Sequence, residues 1–455
     1  MTCETRRMAD EPVTDVKQVG LGLFAVLLLM GTAVKVCGKP AHPEEPSPAP
    51  SAEAAKDVPS AEAPPSTPAK DKVGLSAPIA AAYAKNGEVV VAGLDVPSNA
   101  IRVQRFDEKG AVLADRVALD DVKWSTDSDL KVAAGGDAVA VTWHGLRQNK
   151  LVRQLVMLGS DLTRKVDPTE VSSAYCATKD AVWFANDTTA TARSWNGERT
   201  RFPLPKDKDA SLYCSTHRAF GVIEEEDKTS IVPLVAGGAP VVMVKEGDFG
   251  EDDQRELSEY NVGDEIGVVR LGLSGSIVVR ETTDGGAGML RKLKSTIGHD
   301  DDVVAVDATS KVVVIVYTED VSSSCPKQGD NDTPVSTRVQ ALRVDRATFE
   351  ESTVELSPGR CGAEIGPFFT GPLGDDVSVA WVERGTGLGK ARAPILGLSH
   401  ASVAHAGTPA LAKIEQVADA IADAGCDGAR CYAAALVRRD DNDAMTAGYV
   451  RVLRW

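Results

Sequence analysis

The chain is poor in almost everything from which a recognisable active site is built. Its 455 residues hold only six histidines and eight cysteines. His400 and His405 lie five apart in SHASVAH, the wrong spacing for a helical zinc pair, and no H-E-x-x-H run occurs. Neither a G-x-S-x-G elbow nor a phosphate-cradling P-loop is present. LGLSGS around Ser274 joins two strand-like runs and leads into no helix, so it reads as a solvated turn. GTGLG at 385–389 reads as an inter-strand loop. Aromatics make up 5% of the chain, which leaves little material for a glycan site made of stacked rings. Positive charge is also short: the net charge of −16 argues against nucleic acid and anionic membrane surfaces, both of which need a basic footprint. No catalytic residue, metal ligand or cofactor-binding residue can be named, and no cofactor is expected.

What the chain does have is a phrase that returns. A turn with Gly, Asn or Asp precedes an apolar strand in NGEVVVAGL from Asn86, GGDAVAVTW from Gly135, TKDAVWFAN from Thr178 and HRAFGVIEE from His217. The phrase recurs in GDEIGVVRL from Gly263, TSKVVVIVY from Thr309, GDDVSVAWV from Gly374 and GARCYAAAL from Gly428. Eight copies mean one supersecondary unit repeated. Three copies show its contents. After NGEVVVAGL comes AIRVQRFDEKGAVLADRVAL, a strand, a tight turn and another strand. LVRQLVMLGSDLTRKV and TRVQALRVDRATFEESTVEL repeat that plan in two further units, and a short apolar stretch such as DLKVAAGG or AEIGPFFTG precedes each phrase. Each unit is therefore about four strands with period-2 alternation. An isolated four-stranded meander exposes two faces and two edges, and radial packing of such sheets covers both. The expected fold is an all-β propeller of about eight four-stranded blades, with seven as the alternative. A β-sandwich is disfavoured because it needs only about seven to nine strands. The last unit ends at GYVRVLRW, a third strand, so the stretch 72–83 is expected to supply the missing strand and close the ring.

The chain resembles bacterial secreted and envelope β-propeller repeat proteins, whose blades carry V-x-V-x-W followed by R-x-Q-x-F-D-x-x-G-x-x-L. Val139, Val141 and Trp143 fit the first part, as do Val377, Val379 and Trp381. Arg102, Gln104, Phe106, Asp107, Gly110 and Leu113 fit the second. The resemblance runs roughly from Pro78 to Trp455 and is architectural; the Gly-His and Trp-Asp marks of WD40 blades are missing. Propellers host enzymes, lectins and scaffolds alike, so it implies a fold and not an activity.

The N-terminus bears on location. Residues 1–18 read as a cytoplasmic tail and 19–36 as a transmembrane anchor or signal segment. That segment's apolar run is short for a spanning helix and long for a signal-peptide core. Residues 37–72 are a tether of Pro, Ala, Ser and Glu that buries nothing and stays extended; 73–455 form the propeller. Cys37 invites lipidation, although Lys35 and Val36 stand where small uncharged residues belong. The expected location is the cell envelope, exported and anchored, or secreted if the segment is cleaved.

Cysteine usage agrees with export. Beyond Cys3 and Cys37 there are six, an even number that favours disulfides over metal in an exported all-β domain. Cys176 and Cys214 occupy equivalent places in consecutive units and are paired on that ground. Cys426 and Cys431 flank a turn and staple a hairpin, leaving Cys325 for Cys361. The acidic loops from Glu246, Gly329 and Asp440 lack the calcium-loop pattern and read as solvated turns. Trp124, Trp143, Trp183, Trp195 and Trp381 sit in or beside the repeated strands, where packing between blades is their expected role. Two functions survive. One is a tethered, monomeric binding or scaffold head for an envelope protein or glycan. The other is a hydrolase or lyase with its site over the central channel.

Overall fold

The computed structural model describes residues 75–455, apart from 85–86, 126–127, 136–137, 172–173, 187, 206–209, 216, 226, 246, 249–253, 284–285, 327–333, 386–394, 404–411, 415–419, 427 and 438–448. The N-terminal tail, apolar segment, tether and Cys37 therefore lie outside the described residues, as do GTGLG beyond Gly385 and much of the acidic loops. Among the described residues no helix is long and apolar enough to cross a membrane.

Eight antiparallel sheets follow one another along the chain; six are plain meanders in sequence order, and the second and fifth each add one two-residue strand, Val122–Lys123 and Gly286–Ala287. Every copy of the repeated phrase supplies the second strand of its sheet: Val89–Asp95, Ala138–Arg147, Ala181–Asn186, Ala219–Glu224, Glu265–Gly272, Val312–Asp320, Asp376–Gly385 and Cys431–Val437. The first strands neighbour one another around the ring: Ser76–Tyr83, Asp129–Gly135, Ala174–Ala177, Ala210–Cys214, Gln254–Val262, Asp302–Ala308, Ala363–Leu373 and Ala420–Cys426. The protein is an eight-bladed propeller.

Alternation along each strand explains why the blades pack radially. In the first blade Val90, Ala92 and Leu94 enter an apolar cluster with Leu130, Val139 and Trp143 of the second blade. Their neighbours Val89 and Val91 enter a different cluster, with Tyr432, Ala434 and Leu436 of the eighth. One strand thus feeds two cores, one on each face. The same holds around the ring, where eight separate clusters fill the eight interfaces.

Ring closure corrects the sequence expectation. Ser76–Tyr83 does not complete the last sheet; it pairs with Val89–Asp95 as the inner strand of the first blade. The eighth sheet has three strands among the described residues. The ring closes through side chains, with Leu75, Ala81 and Val91 against Tyr432 and Leu436, and with Tyr83 meeting Tyr432 edge-on at 4.3 Å. A strand of small residues is suited to the crowded axis, where bulky side chains would hold the blades apart.

The R-x-Q motif binds strands within a blade. Arg102 bonds Asp95 at 3.2 Å and Asp115 at 2.7 Å, and Gln104 donates to the same Asp115 at 3.1 Å. Arg338 and Gln340 hold Glu319 in the sixth blade at 3.0 and 2.8 Å. The Asp that ends the motif caps the next turn, Asp107 accepting from the amides of Lys109 and Ala111 at 2.8 and 2.7 Å. Gly110 completes that turn at φ 79°, a conformation that a side chain would strain.

All three cysteine pairs are disulfide-bonded, with Cα–Cα distances of 5.7 Å for Cys176–Cys214, 5.6 Å for Cys325–Cys361 and 4.0 Å for Cys426–Cys431. The first joins the inner strands of the third and fourth blades. The second ties a loop of the sixth blade to the opening of the seventh. The last staples the hairpin that begins the eighth.

Candidate functional site

The inner strands of the first, second, third and eighth blades surround an opening of about 730 Å³ at the channel. Its wall is made of small and apolar residues, Ile79–Ala82, Val132–Ala134, Ala177 and Ala424 among them, with Tyr83, Tyr175 and Tyr432 as its rings. Asp129 and Lys131 bring the charge, and they face each other at 3.7 Å. Burial pushes the Tyr175 hydroxyl well above its ordinary range, against the opposing effect of Thr142. A wall of this kind, with strand backbone and a charged pair showing between small side chains, offers an open concavity with more polar than apolar surface.

The inner strands of the fourth to sixth blades carry different chemistry. Tyr213 donates its hydroxyl to the backbone carbonyl of Glu259 at 3.2 Å. The Glu259 carboxyl is pushed up by burial, and the charge of Glu224 adds to that. Asp307 is pushed up to about 6 by burial, even though the Ala308 amide donates to it at 2.8 Å and Thr370 also bonds it. Asp307 therefore exchanges its proton near neutral pH, the range in which a carboxyl can serve as acid or base. These residues were missed at the sequence level. The signal was there, a carboxylate near the end of the apolar run VVAVDA, but the same pattern also describes an ordinary strand end.

A second kind of concavity lies between blades. Between the fifth and sixth, a cavity of about 120 Å³ is lined by Arg280, Glu281, Met289, Arg291, Arg346 and Phe349. Its one carboxylate is already engaged. Arg346 grips Glu281 with two bonds of 2.9 and 2.6 Å, and Tyr260 donates to the same carboxylate at 2.9 Å. Gly267 leaves room for the Tyr260 ring, which stands 2.1 Å from where a Cβ would be. Arg291 lies over the Phe349 ring at 4.3 Å. This crevice is an inter-blade lock.

Other expected positions take structural places. Trp143 and Trp381 are fully buried and Trp183 nearly so, whereas Trp124 is half exposed. Ser274 sits in the turn between two strands of the fifth blade, as a solvated turn should. His400 stacks on Trp455 at 4.9 Å, and burial holds its ring below the usual imidazole range. Among the described residues no group of three His, Cys, Asp or Glu is placed to hold a metal ion.

No protein-family model matches the chain, and no curated protein is similar to it in sequence. Among solved structures it is similar to the WD40 domain of SCAP from fission yeast, at 8% identity over 83% of this chain and 95% of that one, with a TM-score of 0.43. It is also similar to the polysaccharide lyase Uly1, at 10% identity over 82% and 89% with a TM-score of 0.41. A variant of the Aleuria aurantia lectin AAL, solved with Fucalpha1-6GlcNAc, shares 10% identity over 62% and 96% with a TM-score of 0.29. At such identities these likenesses say nothing of activity, and the ring stands on its own strand pairing.

Proposed function

We propose that the chain is a binding or scaffold module of the cell envelope, an exported propeller that holds a protein or glycan partner. The observation that carries this reading is the opening of about 730 Å³ on the channel, with its wall of alanine, aliphatic and tyrosine side chains and its one internally paired set of charges. Three disulfides support an oxidising, extracytoplasmic setting. The test is to fill the opening. Ala133→Trp places a large ring on the wall, and cross-linking of the full chain in its native envelope compares it with the unaltered protein. The reading expects a discrete partner with the native chain and its loss with the variant. Equal cross-linking by both would overturn it.

One observation favours the second reading, a hydrolase or lyase acting over the channel: Asp307, with its proton held to about pH 6, lies on an inner strand. That reading requires turnover of an envelope polymer to collapse in Asp307→Asn.

A further inference from the structure

We propose that the cleft between the second and third blades binds an oxyanion, a sulfate, phosphate or carboxylate group, such as an acidic polysaccharide carries. The cavity measures about 280 Å³ and is lined by Thr169, Glu170, Phe184, Thr189, Thr191, Arg199 and Arg201. Its position follows from the sheet register. Val182 and Phe184 stand opposite Arg193 and Thr191, which in turn stand opposite Arg199 and Arg201. Residues directly opposite share a face. Val182 and Phe184 pack against Leu155, Met157 and Val171 of the second blade, so this whole face looks toward that blade.

Arg193 is the residue out of place. In the first, second, third and sixth blades the turn after the third strand is closed by the amides of Asp107, Gly159, Ser194 and Asp345. The residue before each turn is Phe106, Leu158, Arg193 and Val344. The three apolar ones are buried in the cores between blades. The third blade buries a guanidinium instead, 5% exposed. Arg193 donates to the Thr169 hydroxyl at 2.8 Å, and Arg199 reaches the same oxygen at 3.4 Å. The Arg193 Nε has no partner, and among the described residues no carboxylate pairs with Arg193, Arg199 or Arg201.

Burying a cation without its counter-charge is costly, and such a group persists where something supplies the charge. Among the described residues no carboxylate answers these guanidinium groups, and burial, with the charge of Arg199 beside it, pulls the Arg193 guanidinium behind the cleft below its ordinary range. In the cavity between the fifth and sixth blades, by contrast, Arg346 has Glu281 in that role. Glu170 lies on the rim, exposed and unpaired with these arginines among the described residues. It weakens the site without neutralising it. Planar guanidinium groups suit two-point contact with an oxyanion, and the three threonine hydroxyls and the Phe184 ring suit the sugar that bears it. The size fits one sugar or one anionic group; larger ligand pockets run from about 300 Å³ upward.

The experiment uses the full chain, with dextran sulfate as the polymer-borne oxyanion, neutral dextran as control and sodium sulfate as the free ion. A chain of net charge −16 repels a polyanion overall, so binding demands a local cationic site. The native protein is expected to bind dextran sulfate and ignore dextran, and sodium sulfate is expected to compete. Arg199 and Arg201 are exposed, so the double variant R199Q/R201Q is expected to keep the native melting temperature. Its binding should be roughly tenfold weaker or worse, the loss expected of charge-assisted hydrogen bonds. E170Q should tighten binding. Sulfate that competes and raises the melting temperature by itself marks the free ion as a ligand in its own right; competition only at high concentration assigns the affinity to the polymer. Equal binding by native protein and R199Q/R201Q, or equal binding of dextran and dextran sulfate, overturns the proposal. Ala133→Trp should leave this binding untouched, so failure here and failure of the channel reading are separable.

Discussion

Replacing Asp307 with asparagine is expected to stabilise the ring at neutral pH and to change little at pH 4. The carboxyl sits on the inner strand of the sixth blade, where burial raises it from an ordinary value of 3.8 to about 6. A carboxyl whose folded-state value lies above its unfolded value penalises folding only when it is ionised. The penalty is absent below about pH 3.8, grows between 3.8 and 6, and is complete above about 6. Each tenfold change in proton affinity is worth ~1.36 kcal/mol, so the full penalty comes to about 3 kcal/mol. The residue is only partly covered, and solvent screening brings the expected figure down to about 1–2 kcal/mol. Asparagine keeps the oxygen that accepts from the Ala308 amide at 2.8 Å and removes the charge. Urea titrations of the oxidised protein at pH 4, 6 and 7.5 measure the outcome. The advantage of the variant should be near zero at the lowest pH and largest at the highest. An advantage independent of pH, or one that grows as pH falls, would refute the electrostatic account.

Two further outcomes bear on the ring itself. Replacing Cys176 and Cys214 with alanine opens a loop closed across 38 residues and is expected to cost up to about 4 kcal/mol, since chain entropy sets the ceiling; non-reducing peptide maps that find both thiols free in the native protein would defeat the premise. Tyr432→Ala removes a 3%-exposed ring from the seam between the last and first blades, and is expected to cost about 3–5 kcal/mol. A melting temperature like that of the native chain would place closure elsewhere.

Much of the architecture is legible in the sequence because a blade is a local object. The phrase that becomes each second strand alternates side chains between two cores, and period-2 alternation needs no knowledge of the partner sheet. The turn carboxylates Asp107 and Asp345 act within four residues of themselves. Cys176 and Cys214 were paired because equivalent places in successive repeats become neighbours in a ring. The role of Ser76–Tyr83 was not legible. SAPIAAAY carries little apolar bulk, and choosing between the first and last sheets depends on a contact with residues more than three hundred positions away, such as Tyr83 with the carbonyl of Arg430. The raised carboxyls were hidden for a related reason: burial of Glu259 and Asp307 depends on how close neighbouring blades come.

In a repeat protein the ordinary marks of function invert. The most repeated residues here, the V-x-V strands and the R-x-Q locks, build the blades and are engaged with one another, as Arg102 is with Asp95 and Asp115. A ligand site needs groups that the scaffold leaves unsatisfied, so it belongs where one blade departs from its siblings. Arg193 departs in charge, standing where Phe106, Leu158 and Val344 are apolar. Asp307 departs with Glu259: the inner strands of the first and second blades carry the alanine runs Ala80–Ala82 and Ala133–Ala134, and the fifth and sixth carry acids that burial raises. Each departure has a cost in burial that the fold alone does not require, because the sibling blades close their interfaces without it. Glu281 shows the control case, a charge in an inter-blade crevice answered in full by Arg346 and Tyr260. By this reasoning the cleft of the third blade and the acids of the fifth and sixth join the channel opening as places where this ring can do more than hold itself together.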